Sequence, residues 1–195
     1  IILALSVISK KKLTDYLKNL KLIQTQSFLK LENIKKKNSP LYMSIKDRLD
    51  NLNINISNAP KAVGAYLAYK NIGKLIYISG QLPFKSDGTL IKGKVGLDIN
   101  LKESQEAAYF CTINTLAQLN LACDNNLDKV KNCIKITGFV NSTDDFIDQP
   151  KVINPASELL VKIFDDLGKH TRAAVSVNSL PLGAAVEIVS IFEIN

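Results

Sequence analysis

The chain has 195 residues, 46 % of them apolar, which is enough for one ordinary domain with a real core plus an extension. No apolar run reaches the roughly 18–20 residues a helix needs to cross a bilayer. The formal charge of +7 is carried by residues 1–42, with nine Lys against two acids; residues 43–195 hold 16 basic and 16 acidic side chains, so their charge gives no electrostatic case for nucleic-acid binding.

Residues 1–42 open on the apolar run Ile1 to Ser9 and continue through Lys10-Lys11-Lys12 to Lys35-Lys36-Lys37. An apolar start followed by a basic, acid-poor tract is the pattern of a signal-plus-transit leader whose first residues are missing. The expectation is an organelle-targeted protein, in a plastid or mitochondrion. The alternative is a disordered or loosely helical basic extension on a cytoplasmic protein. In either case the mature form is expected to have no membrane association, and the folded domain is expected to span residues 43–195.

Ser44 to Leu52 reads as a short amphipathic helix, with Ser44 as N-cap and apolar residues at 45, 49 and 52. Asn53 to Lys61 is a polar, Pro-containing connection. Val63 to Lys70 and Leu75 to Leu82 then read as a β-hairpin turning at Asn71-Ile72-Gly73. Gly80, in or just after the second strand, marks a bulge, a simple bend or a close approach to the backbone. Turns follow at Ser86 to Thr89 and at Gly93 to Gly96.

Asn100-Leu101-Lys102-Glu103 is close to a capping box and opens a long helix over 101–123. Val130 to Val140 is a third strand, with Ile134, Ile136, Gly138 and Val140 expected on one face. Asn154-Pro155 starts a second long helix, Asn154 as N-cap and Pro155 at the first helical position, and Gly168 ends it. Cys111 and Cys123 fall in the helical pattern and Cys133 in the strand. An odd number of cysteines, without CxxC and with one His, argues against a disulfide framework or a zinc site and for buried free thiols in a reducing compartment.

Two apolar, β-branched stretches close the chain, Lys169 to Val177 and Ala184 to Ile191, joined by a short Pro/Gly turn. They read as strands buried on both faces. Into them are set one cation, Arg172, and one carboxylate, Glu187. Such charges are costly when buried and unpaired. They are explained by an ion pair between neighbouring strands, by a sheet edge facing solvent, or by a pocket. In a pocket, a guanidinium would hold a ligand carboxylate by two parallel hydrogen bonds while the Glu moves protons or positions water. Arg48 and Arg172 are the two arginines among 25 basic residues.

The order β-β-α-β-α-β-β makes an α+β fold, with two helices packed on one face of a small mixed sheet. The other face is left apolar and bare, a surface that an oligomer would bury, with sites forming between subunits.

Several stretches together resemble the Rid family, also called the YjgF or endoribonuclease L-PSP family. They are Val63-Gly64-Ala65-Tyr66, Tyr77 to Pro83, Thr137-Gly138-Phe139-Val140-Asn141, Asp145-Phe146, Val152-Ile153-Asn154, and Arg172-Ala173-Ala174-Val175 through Glu187-Ile188. The likeness runs from about residue 44 to 194. It implies a chorismate-mutase-like fold, a homotrimer with sites in the clefts between subunits, and hydrolysis of reactive enamines and imines such as 2-aminoacrylate to 2-oxo acids and ammonia. By the same resemblance Arg172 binds the substrate carboxylate and Glu187 positions or activates water. Tyr66 and Asn154 line the pocket, the Gly80 backbone lies close to the ligand, and no metal or organic cofactor is needed.

The chain departs from the well-studied deaminases at His170 and Thr171, where they have Pro and a small Ala, at Ala174, where many have Cys, and at Gly64-Ala65-Tyr66, where they have Gly-Pro-Tyr. His170 is then either a pocket acid–base group or a surface residue at the start of a strand. The competing functions are a trimer that binds a small carboxylate without chemistry, and the ribonuclease activity of the older family name.

Overall fold

The computed structural model describes residues 10–37, 43–56 and 64–195. The apolar start 1–9, residues 38–42 and residues 57–63, with the expected strand start Val63, lie outside the described residues. The chain divides into two units, Ile1–Met43 and Ser44–Asn195. In the first, α1 (Lys10–Lys37) is one continuous helix, and the side chains from residue 12 to 27 stand exposed.

The second unit begins with α2 (Ile45–Asn51). Ser44 caps it through a reciprocal box: its hydroxyl accepts from the Asp47 N–H, and the Asp47 carboxylate accepts from the Ser44 N–H. β1 (Tyr69–Ile72) and β2 (Leu75–Gln81) form the expected hairpin, but β1 starts at Tyr69 rather than Val63, because Gly64 to Tyr66 form a bend. Ile72 pairs with Leu75, so the turn is Gly73-Lys74, with the positive φ of 60° falling on the glycine. α3 (Leu101–Ala122) starts at the Asn100/Glu103 capping box, as the sequence predicts, and is buried along most of its length.

β3 (Val130–Asn141), α4 (Gln149–Phe164), β4 (Thr171–Val177) and β5 (Val186–Ile194) complete the unit. The sheet order is β1-β2-β5-β3-β4, with β3 and β4 parallel and the other neighbours antiparallel. α3 and α4 pack together on one face, giving the α+β layer arrangement. The core lies between them and the sheet, where Ile76, Ile78, Ile136, Val140, Ile188 and Phe192 meet Leu116, Leu119, Ile153 and Leu160. Gly138 lets α4 sit close: a Cβ there would lie 2.5 Å from Ile153 Cδ1.

Four expectations need correction. β4 and β5 are not a hairpin, because β3 lies between them and the α4 crossover makes β4 parallel to β3. Nor are they buried on both faces. β4 is an edge strand and largely exposed, while β5 alternates, with Val186, Ile188, Ser190 and Phe192 turned to the helices. Ile134 does not share a face with Ile136: it is 37 % exposed against 1 %, since the ladder slips between Cys133 and Lys135 and turns Cys133 inward.

The fourth concerns α4, which begins five residues before Asn154, at Gln149, with Pro150 in its first turn. Pro155 is therefore internal and cannot donate to the Lys151 carbonyl; the Gln105 side chain donates to it instead, at 3.0 Å. The helix stops at Phe164 because Asp165 takes φ 51°, and a 3-10 turn carries the chain on to Gly168. Arg48 clamps that end, donating to the Ile163 carbonyl at 3.2 Å and pairing with Asp165.

Candidate functional site

Arg172 stands in register with Ile136, which is buried beneath the helices, so its side chain leaves the sheet on the helix side. Because β4 is the edge strand, the guanidinium stays exposed and reaches α4. Its Nη1 donates to Asn154 Oδ1 at 3.0 Å and to Ser157 Oγ at 3.1 Å. Residues three apart share a helix face, which is how α4 presents both oxygens to one nitrogen. Two partners satisfy both Nη1 hydrogens, and among the described residues Nε and Nη2 remain as a fork matched to a carboxylate. Asn154 is thus a partner of the arginine rather than the predicted N-cap.

His170 precedes the strand, half-buried, and both ring nitrogens are engaged: Nδ1 lies 2.7 Å from the Gly168 carbonyl and Nε2 lies 3.0 Å from Ser157 Oγ. Ser157 is the residue sequence reasoning missed. The signal available for it was its i,i+3 spacing from Asn154, which becomes visible only once Asn154 is known to be inside the helix.

A second group forms around Glu187. It stands in register with Phe139 and alternates with the buried Val186 and Ile188, so it projects on the face away from the helices. Opposite it the β2–β5 ladder bulges. Ile78 pairs with Ser190 and Gln81 with Ile188, so Ser79 and Gly80 together face the single residue Val189. The Glu187 carboxylate lies against Gly80, where a Cβ would come within 1.6 Å of Oε1; the glycine makes the space the carboxylate occupies. Burial pushes the Glu187 carboxyl above its ordinary value. Ser79 holds the strand entry alongside, its N–H donating to the Ala68 carbonyl at 2.9 Å and its hydroxyl to the Leu67 carbonyl at 2.7 Å. The residue before Leu67, Tyr66, is 52 % exposed.

Four of the five predicted residues therefore fall into two groups, Arg172 with Asn154 and Glu187 with Gly80, while Tyr66 is tied to the second by the backbone alone, through the Ser79 hydroxyl that donates to the neighbouring Leu67 carbonyl. The strand between them and the three-residue offset in register put the Arg172 and Glu187 Cα atoms about 14 Å apart, on opposite faces of the sheet. Among the described residues no ion pair joins them, which removes the cross-strand pairing that the sequence left open.

The three cysteines belong to neither group. All are buried and free. Burial pushes Cys123 up to about 11 and Cys133 up to about 12; Cys111 is raised well above the usual thiol range, by burial first and by the Glu187 carboxylate second.

The family match falls within the second unit. Residues 46–194 match the family model described as "YjgF/chorismate mutase-like, putative endoribonuclease". Protein TCP17 of Trypanosoma cruzi is 36 % identical over 148 residues, 75 % of this chain and 92 % of that protein. The crystal structure of Atu1372 from Agrobacterium tumefaciens, a protein of unknown function, is 40 % identical and superposes with a TM-score of 0.71, over 78 % of this chain and 94 % of the other. RidA from the Antarctic bacterium Psychrobacter sp. PAMC 21119 is 30 % identical with a TM-score of 0.50, over 72 % of this chain and 98 % of the other. With the family model, the shared α+β sheet and these relatives in agreement, the chain belongs to the YjgF/chorismate mutase-like family, the Rid family that its sequence motifs resemble.

Proposed function

We propose that the protein hydrolyses small reactive enamines and imines of the 2-aminoacrylate type to 2-oxo acids and ammonia, as a homotrimer. The observation that carries this reading is the arginine whose Nη1 is tied to Asn154 and Ser157 while Nε and Nη2 stay open as a carboxylate fork. Because Arg172 and Glu187 project from opposite faces of one sheet, the working site joins the Arg172 group of one subunit to the Tyr66–Gly80–Glu187 group of the next. The helix-free face, with the exposed apolar side chains Tyr77 and Val175, is the surface that such an assembly buries.

In this mechanism the substrate carboxylate docks on the Arg172 fork and the enamine tautomerises to its imine by taking a proton on carbon. Glu187, with its carboxyl raised by burial, is a better base than an exposed Glu and accepts a proton from water as the oxygen adds to the imine carbon. The same proton passes to nitrogen to give a carbinolamine; Glu187 then takes the carbinolamine O–H proton and passes it to nitrogen as well, the C–N bond breaks with its electron pair leaving on ammonia, and the carbon becomes the 2-oxo carbonyl. One imine and one water give one 2-oxo acid and one ammonia, with no change of oxidation state.

The test generates 2-aminoacrylate in situ with a pyridoxal-phosphate dehydratase and follows pyruvate release by the full chain and by Arg172→Ala. Acceleration that the variant abolishes supports the reading; equal rates with and without protein refute it. Binding of 2-oxobutyrate without any acceleration points instead to a carboxylate-binding trimer.

Residues 1–42 complete the proposal as a targeting extension, supported by nine lysines against two acids and by the exposed face of α1. Fused to a fluorescent protein, they are expected to direct it to an organelle; a diffuse cytoplasmic signal refutes this.

A further inference from the structure

His170 and Ser157 take no part in the proposed chemistry, yet they stand directly behind the arginine it depends on. The chain has one histidine. Its Nδ1 lies 2.7 Å from the Gly168 carbonyl, and a carbonyl oxygen can only accept, so in the neutral ring Nδ1 carries the proton. Nε2 is then a bare acceptor, and the hydroxyl 3.0 Å away, that of Ser157, is the donor. With its proton committed to the imidazole, Ser157 Oγ turns its lone pairs outward and accepts from Arg172 Nη1 at 3.1 Å.

Each link has one donor and one acceptor, so the direction of the whole chain is set by its anchored end. That end is rigid. A Cβ at Gly168 would come within 2.2 Å of the Leu160 carbonyl oxygen, so the 3-10 turn is pressed directly onto the α4 backbone. The far end is the guanidinium, whose second Nη1 hydrogen goes to Asn154.

We propose that His170 and Ser157 are positioning residues that lock Nη1 of Arg172 and thereby present its Nε–Nη2 edge to a ligand carboxylate. The proposal rests on the reading that Arg172 binds the substrate carboxylate. Losing the lock leaves the charge in place and frees its orientation. The expected defect is therefore weaker and less directional carboxylate binding, without loss of the fold.

The experiment has two parts, both on the full chain. Nitrogen-15 NMR of the single imidazole, on the unaltered protein, is expected to show the Nδ1–H tautomer, the reverse of the form histidine prefers in water. Finding Nε2–H overturns the proposal without any variant. Calorimetry with 2-oxobutyrate then compares Ser157→Ala, His170→Asn and His170→Gln, with thermal melts to verify folding. Ser157→Ala and His170→Asn are expected to weaken binding about tenfold. His170→Gln is expected to stay near the unaltered protein, because the Gln oxygen accepts from Ser157 in place of Nε2. If Arg172→Ala abolishes binding while Ser157→Ala and His170→Asn bind normally, the lock is refuted and the carboxylate reading stands. If Arg172→Ala binds as well as the unaltered protein, the carboxylate reading fails and the lock with it.

Discussion

Replacing Gly80 by alanine separates the site from the fold. The φ of Gly80 lies outside the left-handed region, so alanine is conformationally acceptable, and the change alone contributes about 0.4–1 kcal/mol of stability through the unfolded chain. The new Cβ would fall 1.6 Å from Glu187 Oε1 and 2.6 Å from Cδ, the far end of a flexible side chain. Ordinary non-bonded contact lies near 3.5 Å, so the carboxylate has to retreat by about 2 Å. A misplacement of about 1 Å can cost a hundredfold in rate, so kcat/KM for 2-aminoacrylate is expected to fall at least about 100-fold, about 2.7 kcal/mol of transition-state stabilisation. The melting temperature is expected to stay within about 4 °C, corresponding to about 1 kcal/mol for a chain of this size. Coupled pyruvate release and a thermal melt on the same preparation measure both. Adding Gly80→Ala to Glu187→Asp should cost little further activity, since the shorter side chain already clears the space. A folded Gly80→Ala protein with kcat/KM within about threefold of the unaltered chain would refute the carboxylate's role at that position.

Arg172→Lys is expected to lose most of the activity although charge is kept, because an ammonium cannot offer two parallel donors; a KM close to that of the unaltered chain contradicts the fork. Burial raises the Glu187 carboxyl, so the acid limb of kcat/KM should lie above the ordinary glutamate range, and Glu187→Gln should abolish turnover. The same shift favours folding of the protonated form. Its stabilisation is complete below the unfolded value and is lost as pH rises through the higher folded value, so Glu187→Gln should raise the melting temperature at neutral pH relative to acid pH. Gly138→Ala drives a methyl into Ile153 and should cost about 1–3 kcal/mol in chemical denaturation. The double variant with Ile153→Ala should lose less than the sum of the two singles. The three buried thiols should resist alkylation in the native protein and become reactive only on unfolding, as followed by mass spectrometry.

What the sequence alone determined is the part of this protein settled within a few residues of chain. The capping boxes at Ser44 and Asn100, the glycine in the Gly73 turn and the long α3 pattern are contacts between near neighbours, and each stands where local chemistry puts it. The anomaly of one Arg and one Glu in apolar strands was legible too, although burial was not its reason: Arg172 stands exposed on the edge strand and Glu187 is half-buried on the helix-free face.

Tertiary structure decided the rest. Both Pro150 and Pro155 are chemically fit to start α4, and it is the packing of the helix across β3 and β4, with Gln105 donating to the Lys151 carbonyl that Pro155 leaves unpaired, that selects the first and turns Asn154 and Ser157 toward Arg172. Alternation in an apolar run says which residues share a face but not which strand lies next to which. The placement of β3 between β4 and β5, the bulge opposite Val189 and the separation of Arg172 from Glu187 therefore depend on pairings between residues far apart in the chain.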